Sequence, residues 1–186
     1  MFQWLSGSRR RARLETVDAL YEQIVAAARR AHFYSEWKVP DTPLGRFEVL
    51  SLHLFLFLHR LRGEEGALRD IAQEVTDTFF REVDHSLREL GVGDLGVPKR
   101  MKKLARMFYG RLASYGEAVE AGDRVALSAA VQRNIVPDRA VWDEASELAE
   151  YLLKANAELA KVGEDALLAG NLYFAPLPQE HDRHGP

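Results

Sequence analysis

The chain of 186 residues contains no cysteine. That absence excludes disulfides, thiolate metal sites, iron–sulfur ligation and cysteine nucleophiles together, and it fits a reducing compartment. Strong net charge is lacking as well: at −3, the whole molecule has no field that would draw it to nucleic acid. No apolar run reaches the ~20 residues of a membrane-spanning helix. A secretory signal is missing too, because Phe2, Trp4 and Leu5 precede the basic run Arg9, Arg10, Arg11 and Arg13 instead of following it. Residues 1–14 read as a basic N-terminal arm able to touch a membrane surface.

Several site motifs are absent. There is no Gly-x-Ser-x-Gly elbow and no Gly-x-x-x-x-Gly-Lys loop. Gly91-Val92-Gly93-Asp94-Leu95-Gly96 has the glycine spacing of a dinucleotide loop, but it follows a helical pattern rather than a strand. It reads as a hinge between helices.

What is present is a hydrophobic share of 47%, a charged share of 28%, and a period of 3.6 almost throughout. The spacing predicts a first helix over 16–32, with Val17, Leu20, Ile24, Ala28 and Ala31 on one stripe. An aromatic-rich loop with Pro40 and Pro43 follows. Residues 47–61 then form a helix apolar on every side, and its length and interrupting polar residues (Glu48, His53, His59, Arg60) favour a buried rod over a membrane span. Further helices are expected from about 64–67 to 90, from 97 towards 122, over 124–134, and from an Asp138 cap to Gly163, with a last turn at 164–169. The expected fold is all-α: a compact bundle of about six helices around the rod, one domain over 15–170, and a flexible tail over 171–186.

Candidate chemistry is sparse. Glu82 and His85 have the Glu-x-x-His spacing of di-metal helical proteins, but such sites need a second copy and two more glutamates. His53 and His59 point about 120° apart on their helix and cannot share one metal. No catalytic, cofactor or metal residue is therefore assigned. The most functional-looking feature is the basic cluster Lys99, Arg100, Lys102, Lys103 and Arg106, with Arg111 further along. Cations near a helix N-terminus are unfavourable by ~0.3–1 kcal/mol each, so their accumulation points to an acidic partner as well as to a merely solvated face. RNA phosphates, lipid headgroups and an acidic protein all remain open.

Three linked blocks resemble the ubiquinol–cytochrome c chaperone family. The first is Phe33-Tyr34-x-Glu36-Trp37-x-Val39-Pro40-Asp41-Thr42 with Gly45-Arg46-Phe47-Glu48 and the rod. The second is Asp84-x-Ser86-Leu87-Arg88-Glu89-x-Gly91 continuing to Gly96, and the third runs from Lys99 to Leu112 through Phe108-Tyr109-Gly110. Where the family pattern has a basic residue this chain has His85, and where it often has glycine this chain has Pro98.

The resemblance implies a non-catalytic assembly factor of the bacterial branch, serving the cytochrome b-containing ubiquinol–cytochrome c reductase. It implies newly made cytochrome b or other reductase subunits as partners, together with the ribosome or inner-membrane surface and a small helper protein. No cofactor or small-molecule substrate is implied, and the location is cytoplasmic, peripheral at the inner membrane. Two partner-binding surfaces are expected: the basic patch, and an aromatic loop in which Phe33, Tyr34 and Trp37 offer contact. The alternatives are a helical metal-dependent enzyme and a general membrane-surface or RNA-binding module.

Overall fold

A computed structural model describes residues 2–178, with side chains from residue 10 onward. Val17, Leu20 and Ile24 form the buried stripe of α1 (Phe2–Ala28). This helix starts well before the expected Thr16, so the basic arm is backbone-continuous with it. Arg13 is not a free cation of that arm, for it bridges Asp70 at 2.9 Å and Glu74 at 2.8 Å.

One helical turn, α2 (His32–Ser35), interrupts the expected loop, and Tyr34 donates its hydroxyl to the Ala28 carbonyl at the end of α1. The central rod α3 (Pro43–Arg60) begins earlier than its apolar residues announce. Thr42 explains this: its hydroxyl accepts from the Gly45 N–H at 3.1 Å while Pro43 occupies the first turn, where a missing N–H costs nothing. Gly45 is required there, because a Cβ would lie 1.9 Å from the Pro40 carbonyl oxygen.

Two long amphipathic helices follow, α4 (Gly66–Glu89) and α5 (Val97–Glu120). Arg88 fixes the turn between them, reaching Asp84 at 2.7 Å and Asp94 at 2.5 Å. Then come α6 (Arg124–Ile135), capped by Asp123, α7 (Ala145–Leu159) and the short α8 (Glu164–Leu168). The α7 start differs from expectation. Residues 136–144 form a non-helical corner in which Trp142 is buried, and Val141, expected on a buried stripe, is 72% exposed.

No strand occurs among the described residues, and the fold is all-α. Helices α1, α5, α6 and α7 all contact α3, while α4 packs against α1 and α5. Leu52, Leu54, Phe55, Leu56 and Phe57 are buried on every side of the rod, as a central helix requires.

The expected flexible tail needs correction. Residues 171–178 lie over the bundle outside any helix or strand, with a turn at 178, and bury Leu172, Phe174, Ala175 and Leu177. These four apolar side chains supply the driving force that the segment's prolines obscured. Residues 179–186 lie outside the described residues.

Candidate interaction surface

Helix α5 separates its cations by helical phase. Lys99, Lys102, Lys103 and Arg106 recur at spacings of three and four and share one exposed face, with Arg100 exposed beside them. Among the described residues none of them enters an ion pair. Tyr109 extends the same face at 55% exposure, and the turn entering α5 presents Leu95, 99% exposed, after Leu90 at the end of α4. No acidic side chain stands in the first turn of α5 and no side chain caps it. Lys99 and Arg100, nearest the helix start, therefore meet the positive end of its dipole with no acidic side chain in that turn to offset it.

Arg111 does not belong to this patch. It lies about 140° around the helix from Arg106, is buried, and places Nη2 2.6 Å from Oε1 of Glu48 on the rod. Glu48 Oε2 and Arg111 Nε have no partner, and burial pushes the Glu48 carboxyl up to about 7 in spite of the guanidinium beside it. Tyr115, one turn on, donates nothing to the surface either: it is buried, and its hydroxyl accepts from Asn134 at 3.0 Å. This polar group inside the bundle escaped the sequence reading of function. The signal that could have found it is a glutamate within the otherwise apolar rod, which needs a buried cation from another helix.

The aromatic loop also differs from expectation. Phe33 and Trp37 are buried core residues, so neither offers exposed contact, and Tyr34 is half-buried. Trp37 donates its indole N–H to Glu147 at 2.8 Å, and its carbonyl accepts from the Trp142 indole at 3.0 Å. Phe33 meets Trp37 at 5.3 Å, His53 at 5.2 Å and Tyr151 at 5.5 Å, all edge-on. Aromatic rings with a satisfied N–H are as much at home in a core as at an interface, and here the core holds them.

His53 belongs to the same cluster. Its Nδ1 lies 2.8 Å from the Val49 carbonyl and must carry the proton, leaving Nε2 to accept from the Tyr151 hydroxyl at 2.9 Å. Complete burial drives its pKa down to about 3, so the ring is neutral and structural. His85 lies on the surface, 3.2 Å from Glu89. Among the described residues, no group of three His, Asp or Glu side chains could hold a metal, and no helix is long and apolar enough to cross a membrane.

The sequence matches the profile of the ubiquinol-cytochrome C chaperone family over residues 35–174. A crystal structure of the Cbp3 homolog from Brucella abortus superposes with a TM-score of 0.89 at 52% identity, covering 96% of this chain and 99% of that one. The ubiquinol-cytochrome-c reductase complex assembly factor 1 of Xenopus laevis is 27% identical over 150 residues, 80% of this chain and 74% of that protein. The factor of the same name from Mus musculus is 25% identical over 164 residues, which span 87% of this chain but 55% of the mouse protein. With the match spanning α3 to α8 and the whole fold shared, the chain belongs to the ubiquinol-cytochrome C chaperone family.

Proposed function

We propose that this chain is a non-catalytic chaperone that assists assembly of the cytochrome b-containing ubiquinol–cytochrome c reductase by holding its newly made subunits. The observation that carries this reading is the family match across residues 35–174, joined to relatives whose names describe reductase assembly factors. The chemistry of the surface supports it. Inside the bundle Glu48 pairs with Arg111 and Tyr115 bonds Asn134, while the α5 cations, without an ion pair among the described residues, lie together on an exposed helix face suited to docking.

That face supports a peripheral position at the anionic surface of the inner membrane. Each Lys or Arg held near such a surface contributes about 1 kcal/mol, so the α5 cations together can sustain reversible attachment. Leu95 and Leu90 beside them add apolar contact that a phosphate backbone alone would not use.

The test is affinity purification of a tagged full chain from its own cells after pulse-labelling. Labelled cytochrome b or another reductase subunit is expected in the eluate at early times and depleted later. Elution without any reductase subunit at any time would contradict the reading.

A further inference from the structure

We propose that residues 171–178 occupy a peptide-binding groove of this chaperone, and that an extended apolar segment of its client takes their place. The proposal rests on the assembly-chaperone reading and assigns that reading a site.

The way the segment is held is the first observation. Gln23 on α1 donates to the Gly170 carbonyl at 2.6 Å and accepts from the Leu172 N–H at 2.9 Å. Arg30, just past the end of α1, donates to the Ala175 carbonyl at 2.9 Å. All three bonds engage backbone atoms, so they place no demand on which residues the bound strand carries. Recognition of side chains is left to apolar burial. Leu172 and Phe174 are buried while Tyr173 between them is 59% exposed, the alternation of an extended chain over those three residues, and Ala175 is buried after them.

The floor of the groove is the second. The Phe174 ring stands edge-on to His53 at 5.0 Å, and so covers the cluster that His53 forms with Phe33 and Tyr151. Lifting the segment uncovers these rings, an apolar surface already shaped for an aromatic or aliphatic side chain. A shallow, solvent-open groove of about 410 Å³ runs beside the segment, lined by Gln23 and Arg30 on one side and Tyr173 and Pro176 on the other.

The balance of forces is the third. Burial of Leu172, Phe174, Ala175 and Leu177 and the bonds from Gln23 and Arg30 are opposed by the conformational cost of ordering residues 171 to 178. A strap so balanced can be displaced by a competing segment of the same character without unfolding the helices beneath it. Gly170, with φ of +77°, provides the turn from which it departs.

The experiment compares the full chain, a truncation ending at Gly170, and a full-length Leu172→Ala, Phe174→Ala variant, which weakens the segment and leaves the groove intact, using fluorescence anisotropy. The probe is a labelled peptide of residues 170–178. A second probe carries Leu172→Ile, Phe174→Trp and Leu177→Met, and a third carries Leu172→Asp and Phe174→Asp. The truncated chain is expected to bind the first two probes at least tenfold more tightly than the full chain does, and the Asp probe at least tenfold more weakly than the first. The full-length variant is expected to gain at least threefold for the first probe, which keeps the test decisive should the truncation not fold. Three results would each overturn the proposal: no gain in the full-length variant, no gain in a truncation that retains its cooperative melt, or binding of the native probe alone among the apolar pair. The last would mark the segment as a private structural tail. None of these results bears on whether reductase subunits co-purify with the full chain, so the two readings fail separately.

Discussion

Arg111 of α5 and Glu48 of α3 meet inside the bundle at 2.6 Å, and each keeps one polar atom without a partner. A buried ion pair of this kind is weak support for stability, since desolvation opposes the attraction, but loss of one member strands the other. At pH 8, Arg111→Ala should lower unfolding free energy by about 3–5 kcal/mol. The double replacement Glu48→Leu, Arg111→Met should restore most of it. Urea melts of the variants check this, and a double replacement no better than the single would show that the pair has no such cost.

The same pair predicts a pH dependence. Burial raises the folded-state Glu48 pKa to about 7 from 4.5, against the lowering effect of Arg111. Between those values the folded state holds a proton that the unfolded chain has released, so stability falls as pH rises through this window. His53 acts in the opposite direction lower down: its pKa falls from 6.5 to about 3, so acidification through that range favours the unfolded state. Relative to Glu48→Gln, the native chain should lose up to about 3 kcal/mol between pH 4.5 and 7, the free-energy equivalent of the shift. Parallel pH profiles for the two proteins would refute the assignment.

Trp37→Ala should unfold the protein more than it impairs any interface. Trp37 is 1% exposed, and its indole hydrogen bond to Glu147 ties the α2–α3 connection to α7. A cost of about 3–5 kcal/mol is expected, read as a shift in the denaturation midpoint. A fully stable variant with defective partner binding would instead return Trp37 to the surface role that the sequence suggested.

On the α5 face, Lys102→Ala with Lys103→Ala should weaken sedimentation with vesicles containing 30% phosphatidylglycerol by roughly tenfold or more, at about 1 kcal/mol per cation. Leu95→Ser should weaken it further with little effect on salt dependence, because its contribution is apolar. Equal binding by all these proteins would remove the membrane-surface proposal. Strong binding to ribosomal RNA but not to vesicles would move the face to a nucleic-acid role.

Much of the fold is legible in the sequence because burial is periodic. The all-round apolar stretch from Phe47 to Leu58 allows a rod and little else, and the Leu68, Ile71, Val75, Phe79 stripe identifies α4 in the same way. Arg111 shows the limit. Counted as one more cation in a basic run, it looks like surface, and only its phase relative to Arg106 and the presence of Glu48 on the rod reveal that it turns inward. Trp37 and Phe33 are ambiguous for a different reason: a loop residue next to prolines carries no period from which to read its facing. The strap at 171–178 is harder still. Its apolar side chains are visible, but an isolated non-helical segment declares neither its partner nor Gln23 of α1 and Arg30 just beyond that helix, which hold it.

The most direct measurement is deletion of the gene in its own cell, followed by quantification of assembled ubiquinol–cytochrome c reductase on native gels and of haem b in membranes. The account predicts that both fall sharply, that other respiratory complexes persist, and that a plasmid copy of the chain restores them. Normal reductase in the deletion strain would contradict it.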